Sequence, residues 1–323
     1  MRRMLGLMAA LAMAGLLSTG CADGTGDVEA GDCFRDGTAA AFGWGTEVDC
    51  DRPHTVEVFA VRDVSATLGQ FPRSALDTAG NPARQQYLAL VTAFCEPAWS
   101  EYTGYGDLAA ALAPDAVVLP ALYGDMALEA APAQEWERGN HIVICYQVFG
   151  QPATPGEEPL RVDSPVLSTV NRDPGAVPAQ VRDCASTSMD GQGEQRVLCT
   201  TPHDREYLGH LDLAQFVGRV PGLDQAFLDR FDTATAPAQD WAVLDGLCAR
   251  IFPPVLGGVR EDIMLLAQVY TGDKNWGWTD GGPYHAACFA QTKQQTTRSV
   301  VAIGDEPLAL TVEHTRRAHV RTT

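Results

Sequence analysis

The chain has 323 residues, 46% of them hydrophobic, with a formal charge of −18. That length and apolar content suffice for two domains with real cores. The acidity argues against partners such as nucleic acid or anionic head groups, and nine cysteines with no C-x-x-C spacing argue against a thiol-exchange enzyme or a zinc ribbon.

Residues 1–20 read as an export signal rather than as fold. Arg2 and Arg3 form a basic start, Leu5 to Leu17 an uncharged apolar run, and Leu17-Ser18-Thr19-Gly20-Cys21 a processing site. The pattern resembles a bacterial lipoprotein signal, in which Cys21 carries the lipid, palmitate included, and becomes the mature N-terminus. An ordinary secretory peptide cleaved nearby is the alternative, and both place the chain outside the cytoplasm. Removing the signal removes two arginines and no acid, taking the charge from −18 to −20. Residues 21–30 then form a tether. The later Ala/Leu-rich stretch 108–131 is broken by Pro114, Asp115, Pro120 and Asp125, so it does not read as a membrane span.

The remaining eight cysteines fall into two sets, Cys33, Cys50, Cys95, Cys145 and Cys184, Cys199, Cys248, Cys288. Other residues keep step with them. Gly31-Asp32-Cys33 answers Arg182-Asp183-Cys184. Cys50-x-x-Pro53-His54-x-x-Glu57 answers Cys199-x-x-Pro202-His203-x-x-Glu206. Glu158-Pro159-Leu160-Arg161-Val162 is matched to the run Arg298-Ser299-Val300-Val301. Within each half the order predicted is strand, turn, strand, helix, an irregular segment, strand and strand. His54 to Val61 alternates and is β-branched, hence a half-buried strand. Amphipathic stretches at 83–91 and 238–244 predict helices running toward Cys95 and Cys248.

The fold class expected is therefore α+β, as two homologous disulfide-stapled domains, each a small mostly antiparallel sheet packed with one or two helices. The boundaries are 31–170 and 182–312, with a linker at 171–181 and a frayed tail at 313–323. An even cysteine count in an exported chain reads as disulfides. Pairing first to second and third to fourth in each set gives Cys33–Cys50, Cys95–Cys145, Cys184–Cys199 and Cys248–Cys288. Four cysteines allow three pairings, so spacing alone leaves this open.

Gly31-Asp32-Cys33-Phe34, Cys50-x-x-Pro53-His54-x-x-Glu57-Val58, the helix leading to Cys95 and Trp99, and Trp136-x-x-Gly139 before Cys145 together resemble the septum formation domain. The second half matches at its four cysteines and at Pro-His-x-x-Glu, but lacks the Phe after Cys184. The resemblance implies an exported or membrane-anchored actinobacterial envelope protein linked to division-septum or cell-wall processes. It implies no particular chemistry and no cofactor.

His54, Glu57, His203 and Glu206 are the candidate functional residues, as a metal or acid–base pair in each half. Residues three apart on a strand point to opposite faces, which favours a structural corner bent by the proline. His141 and His285 precede the fourth cysteines and are candidates to meet His54 and His203. Trp276-Gly277-Trp278 is a candidate sugar platform. G-x-S-x-G, H-E-x-x-H, Walker and G-x-G-x-x-G motifs are absent. The reading is a non-catalytic, lipid-anchored envelope protein that binds protein or wall partners. A metal-dependent envelope hydrolase and a solute-binding lipoprotein with an interdomain cleft are the alternatives.

Overall fold

A computed structural model describes residues 28–35, 46–149, 160–187, 194–232, 235–269 and 284–308. The signal, Cys21, Trp276-Gly277-Trp278 and the tail from 313 lie outside the described residues. The first half contributes strands β1 (Cys33–Phe34), β2 (Glu47–Val48) and β3 (Val56–Asp63). A helical stretch follows: α1 (Arg73–Asp77), α2 (Pro82–Leu90), a π-helical turn (Val91–Cys95), α3 (Glu96–Thr103) and α4 (Gly106–Ala109). Next come β4 (Val118–Pro120), β5 (Gly124–Ala130), α5 (Ala133–Glu137) and β6 (Ile142–Phe149). The second half has β7 (Asp183–Thr187), β8 (Glu194–Leu198), β9 (His203–Asp212), α6 (Gln225–Arg230), α7 (Ala238–Ile251), α8 (Pro253–Leu256), β10 (Ile263–Gln268) and β11 (His285–Thr296).

Local sequence accounts for the helix ends. Asn81 caps α2 by accepting from the Ala83 N–H at 2.9 Å, with Pro82 at the first helical position. Gly104 ends α3 with φ of 70°, a left-handed turn that glycine adopts freely. Cys95 was expected at a helix end. It sits instead in the π turn of a helical run that continues through α3, whereas Cys248 does lie in the last turn of α7.

The sheets are antiparallel, in the orders β2-β1-β3-β6-β5 and β8-β7-β9-β11-β10. The two orders are the same path traced twice. The match extends to a bulge: Phe59 is the extra residue between the pairs Val58–Tyr146 and Ala60–Cys145, and Leu208 the extra residue between Tyr207–Phe289 and Gly209–Cys288. Disulfides join Cys33–Cys50, Cys95–Cys145, Cys184–Cys199 and Cys248–Cys288, the shortest-loop pairing in each half. Each restricts the unfolded chain by about 2–4 kcal/mol.

The outer face of the first sheet buries Phe34, Val58 and Tyr146. The second has Ala185 where Phe34 stands, and fills the volume with Tyr207 against Phe289, ring centres 5.7 Å apart. The inner faces share one core, in which Phe59, Trp99 and Phe149 join Leu208, Phe227 and Phe252. Segment 171–181 is packed as well: its two 3-10 turns place Val177 and Val181 in that core.

One element crosses between halves. β4 belongs to the first half by sequence but pairs with β9, Leu119 opposite His210 and Pro120 opposite Gly209. The bulge leaves the Leu208 carbonyl to accept from the Ala121 N–H at 3.4 Å. The approach is close. A Cβ at Gly209 would stand 2.6 Å from the Leu119 carbonyl oxygen and 2.8 Å from the Phe252 ring. The matching position in the first sheet is Ala60. Gly209→Ala should therefore push β4 from β9 and destabilise the protein by about 1–3 kcal/mol. Urea unfolding checks this, and an unchanged midpoint would deny that the strand sits this close.

Candidate functional site

Pro53 bends the chain ahead of β3, and His54 lies in that bend. Its backbone exchanges hydrogen bonds with Val162, N–H to carbonyl, at 2.8 and 2.9 Å. Its ring does not follow the alternation of β3. His54 Nε2 lies 3.0 Å from Glu57 Oε1. The expectation that these side chains point apart is thus corrected, because the histidine precedes the strand. Val56 and Val58 take the outer face, so Glu57 turns inward with Phe59 and is 3% exposed. Its carboxylate accepts the backbone N–H groups of Val166 (2.6 Å) and Leu167 (2.8 Å). Those residues belong to a strap that closes the half after its last strand.

The second half repeats the strap and changes the cation. Glu206 accepts the Ser299 hydroxyl and the Val300 N–H, both at 2.6 Å. Val166-Leu167 therefore matches Val300-Val301, and Val162 matches Thr296, which pairs with His203. Residues 298–301 thus match 164–167 and not the run Glu158 to Val162. Arg182, 4% exposed, brings its Nε to 3.9 Å from Glu206. Burial pulls the Arg182 pKa down, and Glu206 pushes it back up. The position matching Arg182 in the first half is Gly31, and there the side chain facing the carboxylate is His54 instead.

Proton counting separates the two histidines. Each has Nδ1 at 2.8 Å from the carbonyl two residues earlier, Arg52 or Thr201, so Nδ1 carries hydrogen in both. His54 Nε2 faces a carboxylate, so a proton lies between the two groups. His203 Nε2 is left as a buried lone pair with no partner. Each Glu stands opposite a cysteine in the ladder, Glu57 by Cys33 and Glu206 by Cys184. Donor atoms of Cys33, His54 and Glu57, and of Cys184, Cys199, His203 and Glu206, accordingly lie within 4.8 Å of one another. In the disulfide form the sulfurs are spent. Each group then offers one imidazole and one carboxylate, too few for a tight metal site.

A cavity of about 490 Å3 opens beside Cys33–Cys50, with Asp32, Glu47, Asp49 and Asp51 around it. The other histidines do not join the corners. His141 packs on Trp136 at 4.8 Å and immediately precedes β6, whose first residue pairs with the end of β3 remote from His54. His285 pairs with Asp212, while His203 pairs with Thr296 at the opposite end of β11.

Sequence reasoning missed a titratable cluster at the seam between halves. Glu96, at the start of α3, is buried, and burial together with the charge of Asp212 pushes its carboxyl up to about 7. His210, on the strand that receives β4, is driven down to about 4 by burial and by the imidazole of His285. Only spatial proximity links these residues, and their sequence spacing carries no signal.

Two outcomes follow from this geometry. Glu57→Ala strands two buried amides and a histidine, and should cost about 3–5 kcal/mol in urea unfolding, with Glu57→Gln costing less. Glu96 has a folded pKa above its ordinary value of 4.5. Its contribution is fully present below about 4.5 and is lost as pH rises through about 7. Glu96→Gln should therefore be more stable than wild type at pH 8, by about 2–3 kcal/mol, and equal to it at pH 4.5. Thermal unfolding of the two proteins across that range reads the difference, and a pH-independent gap would overturn the assignment.

No curated protein matches the chain, and no solved structure does. A family model described as septum formation matches residues 30–242, from just before β1 into α7. That span covers well over half of the chain and crosses the seam without a break. It contains both Pro-His-x-x-Glu corners, the Glu57 strap and the Arg182–Glu206 pair, and on that match the chain belongs to the septum formation family.

Proposed function

We propose that the protein is a non-catalytic component of the cell envelope. It holds two copies of the septum formation unit, is anchored on the outer face of the cytoplasmic membrane through a lipidated Cys21, and binds protein or wall partners in division or envelope maintenance. The observation that carries the non-catalytic part is the commitment of both carboxylates. Glu57 and Glu206 are buried and hold down a strap, and His54 is engaged with Glu57. A general base needs reach to a substrate, and these groups reach only their own chain. The repeated strand order, bulge and disulfides support two copies of one unit. No helix among the described residues is long and apolar enough to cross a membrane, so a lipid at Cys21 would supply the anchor. A net charge of −20 after processing favours cationic partners. The solute-binding alternative draws less support, because the halves share an apolar core and a strand.

Crosslinking in intact envelopes followed by affinity capture should recover division or wall-synthesis proteins with wild type. Cys21→Ala should release the protein from the membrane fraction. Retention of that variant would remove the anchor from the proposal. Stoichiometric metal in the disulfide-bonded protein as purified, lost on His54→Ala, would instead favour the metal-dependent hydrolase.

A further inference from the structure

We propose that the second corner has another chemical state: with Cys184–Cys199 reduced, the two thiolates, His203 Nε2 and Glu206 bind one zinc ion. The donors are already assembled. One donor atom from each of the four residues lies within 4.8 Å of the others, and all four residues are buried. The set of two thiolates, an imidazole and a carboxylate matches what four-coordinate zinc takes.

The histidine supplies the independent observation. His203 is 1% exposed, and its Nε2 has neither donor nor acceptor beside it. A buried ring nitrogen without a partner is costly. Its tautomer is already set for a metal, because Nδ1–H donates to the Thr201 carbonyl and leaves the Nε2 lone pair free. A backbone carbonyl on the far nitrogen is the usual support of a zinc-bound histidine. Glu206 keeps its strap contacts and retains lone pairs for a metal, since a carboxylate accepts about four hydrogen bonds.

The first corner lacks this capacity. Its cluster omits Cys50, whose sulfur sits 3.1 Å from the Gly31 carbonyl oxygen. His54 Nε2 is already occupied by Glu57. The structure thus assigns one ion per chain rather than two.

The chemistry balances. A dithiol gives two electrons and two protons to the disulfide and closes into its own disulfide. Zinc then displaces both thiol protons, so each ion bound releases two protons.

The test uses the full chain, reduced with a water-soluble phosphine that takes oxygen from water as the disulfides take up hydrogen. Zinc chloride is added, excess is removed, and the protein is alkylated and mapped by mass spectrometry. One zinc per chain is expected, with Cys184 and Cys199 shielded and the remaining cysteines labelled as without zinc. Cobalt in place of zinc should show a thiolate-to-metal charge-transfer band. His203→Ala should weaken zinc binding at least tenfold, whereas His54→Ala, the matched change in the other half, should not. Shielding centred on Cys33 and Cys50, shielding spread over all the paired cysteines as in an unfolded chain, or equal affinity in the two variants would overturn the proposal.

Discussion

A buried carboxylate fastened to the backbone is the constraint on which each half depends. Glu57 and Glu206 stand on the inward face of their strands, among apolar residues. A lone charge there would cost many kcal/mol, so the fold must surround it with donors. The donors come from the strap that follows the last strand of the half, Val166-Leu167 or Ser299-Val300. The carboxylate therefore ties the third strand of the half to its final segment. The disulfide beside it holds the first strand in register, since Cys33 and Cys184 face Glu57 and Glu206 across the ladder. The side chain facing the carboxylate is where the halves differ: an imidazole stands there in one half and a guanidinium in the other, and Gly31 against Arg182 marks the exchange.

That exchange explains the unequal histidines. Where His54 must serve the carboxylate, its Nε2 is consumed. Once Arg182 serves Glu206, His203 keeps its place at the bend through the Thr201 carbonyl alone, and its second nitrogen is idle. The halves diverged at the seam too. Gly209 lets β4 reach β9, and Ala60 at the matching position carries the Cβ that Gly209 lacks. The result is one core built from two copies of a path, with Glu96, His210 and His285 beside the crossing strand.

The sequence made the fold class readable where spacing alone determines contact. Cysteines 15 to 50 residues apart, repeated in two sets, indicated self-contained loops, and the four pairs form inside the halves. Alternation located β3 and the helices before Cys95 and Cys248. The facing of His54 was misread because alternation applies only within a strand, and Val56 is where the strand starts. The inward turn of Glu57 had no local signal, because the strap amides that it accepts lie more than 100 residues away. β4 was hidden for the same reason: its partner is in the other half. The strap was placed too early because Leu-Arg-Val resembles its counterpart in composition, whereas the hydrogen bonds follow the distance from the His–strap bridge.

The strap of the first half also bears on how the halves come together. Beyond Leu167 the chain runs through Asn171, whose side-chain amide donates to the Gly104 carbonyl at 2.6 Å, into the 3-10 turns and then Arg182. Arg182 bridges backbone to backbone with Leu122, and the Tyr123 N–H donates to the Val181 carbonyl at 2.7 Å. Docking the strap on Glu57 thus sets the path that delivers Arg182 to Glu206. The cation required by the second buried carboxylate arrives from the segment that the first one holds. The two corners are similar in construction and joined in sequence, because the chain held by Glu57 continues directly into the arginine paired with Glu206.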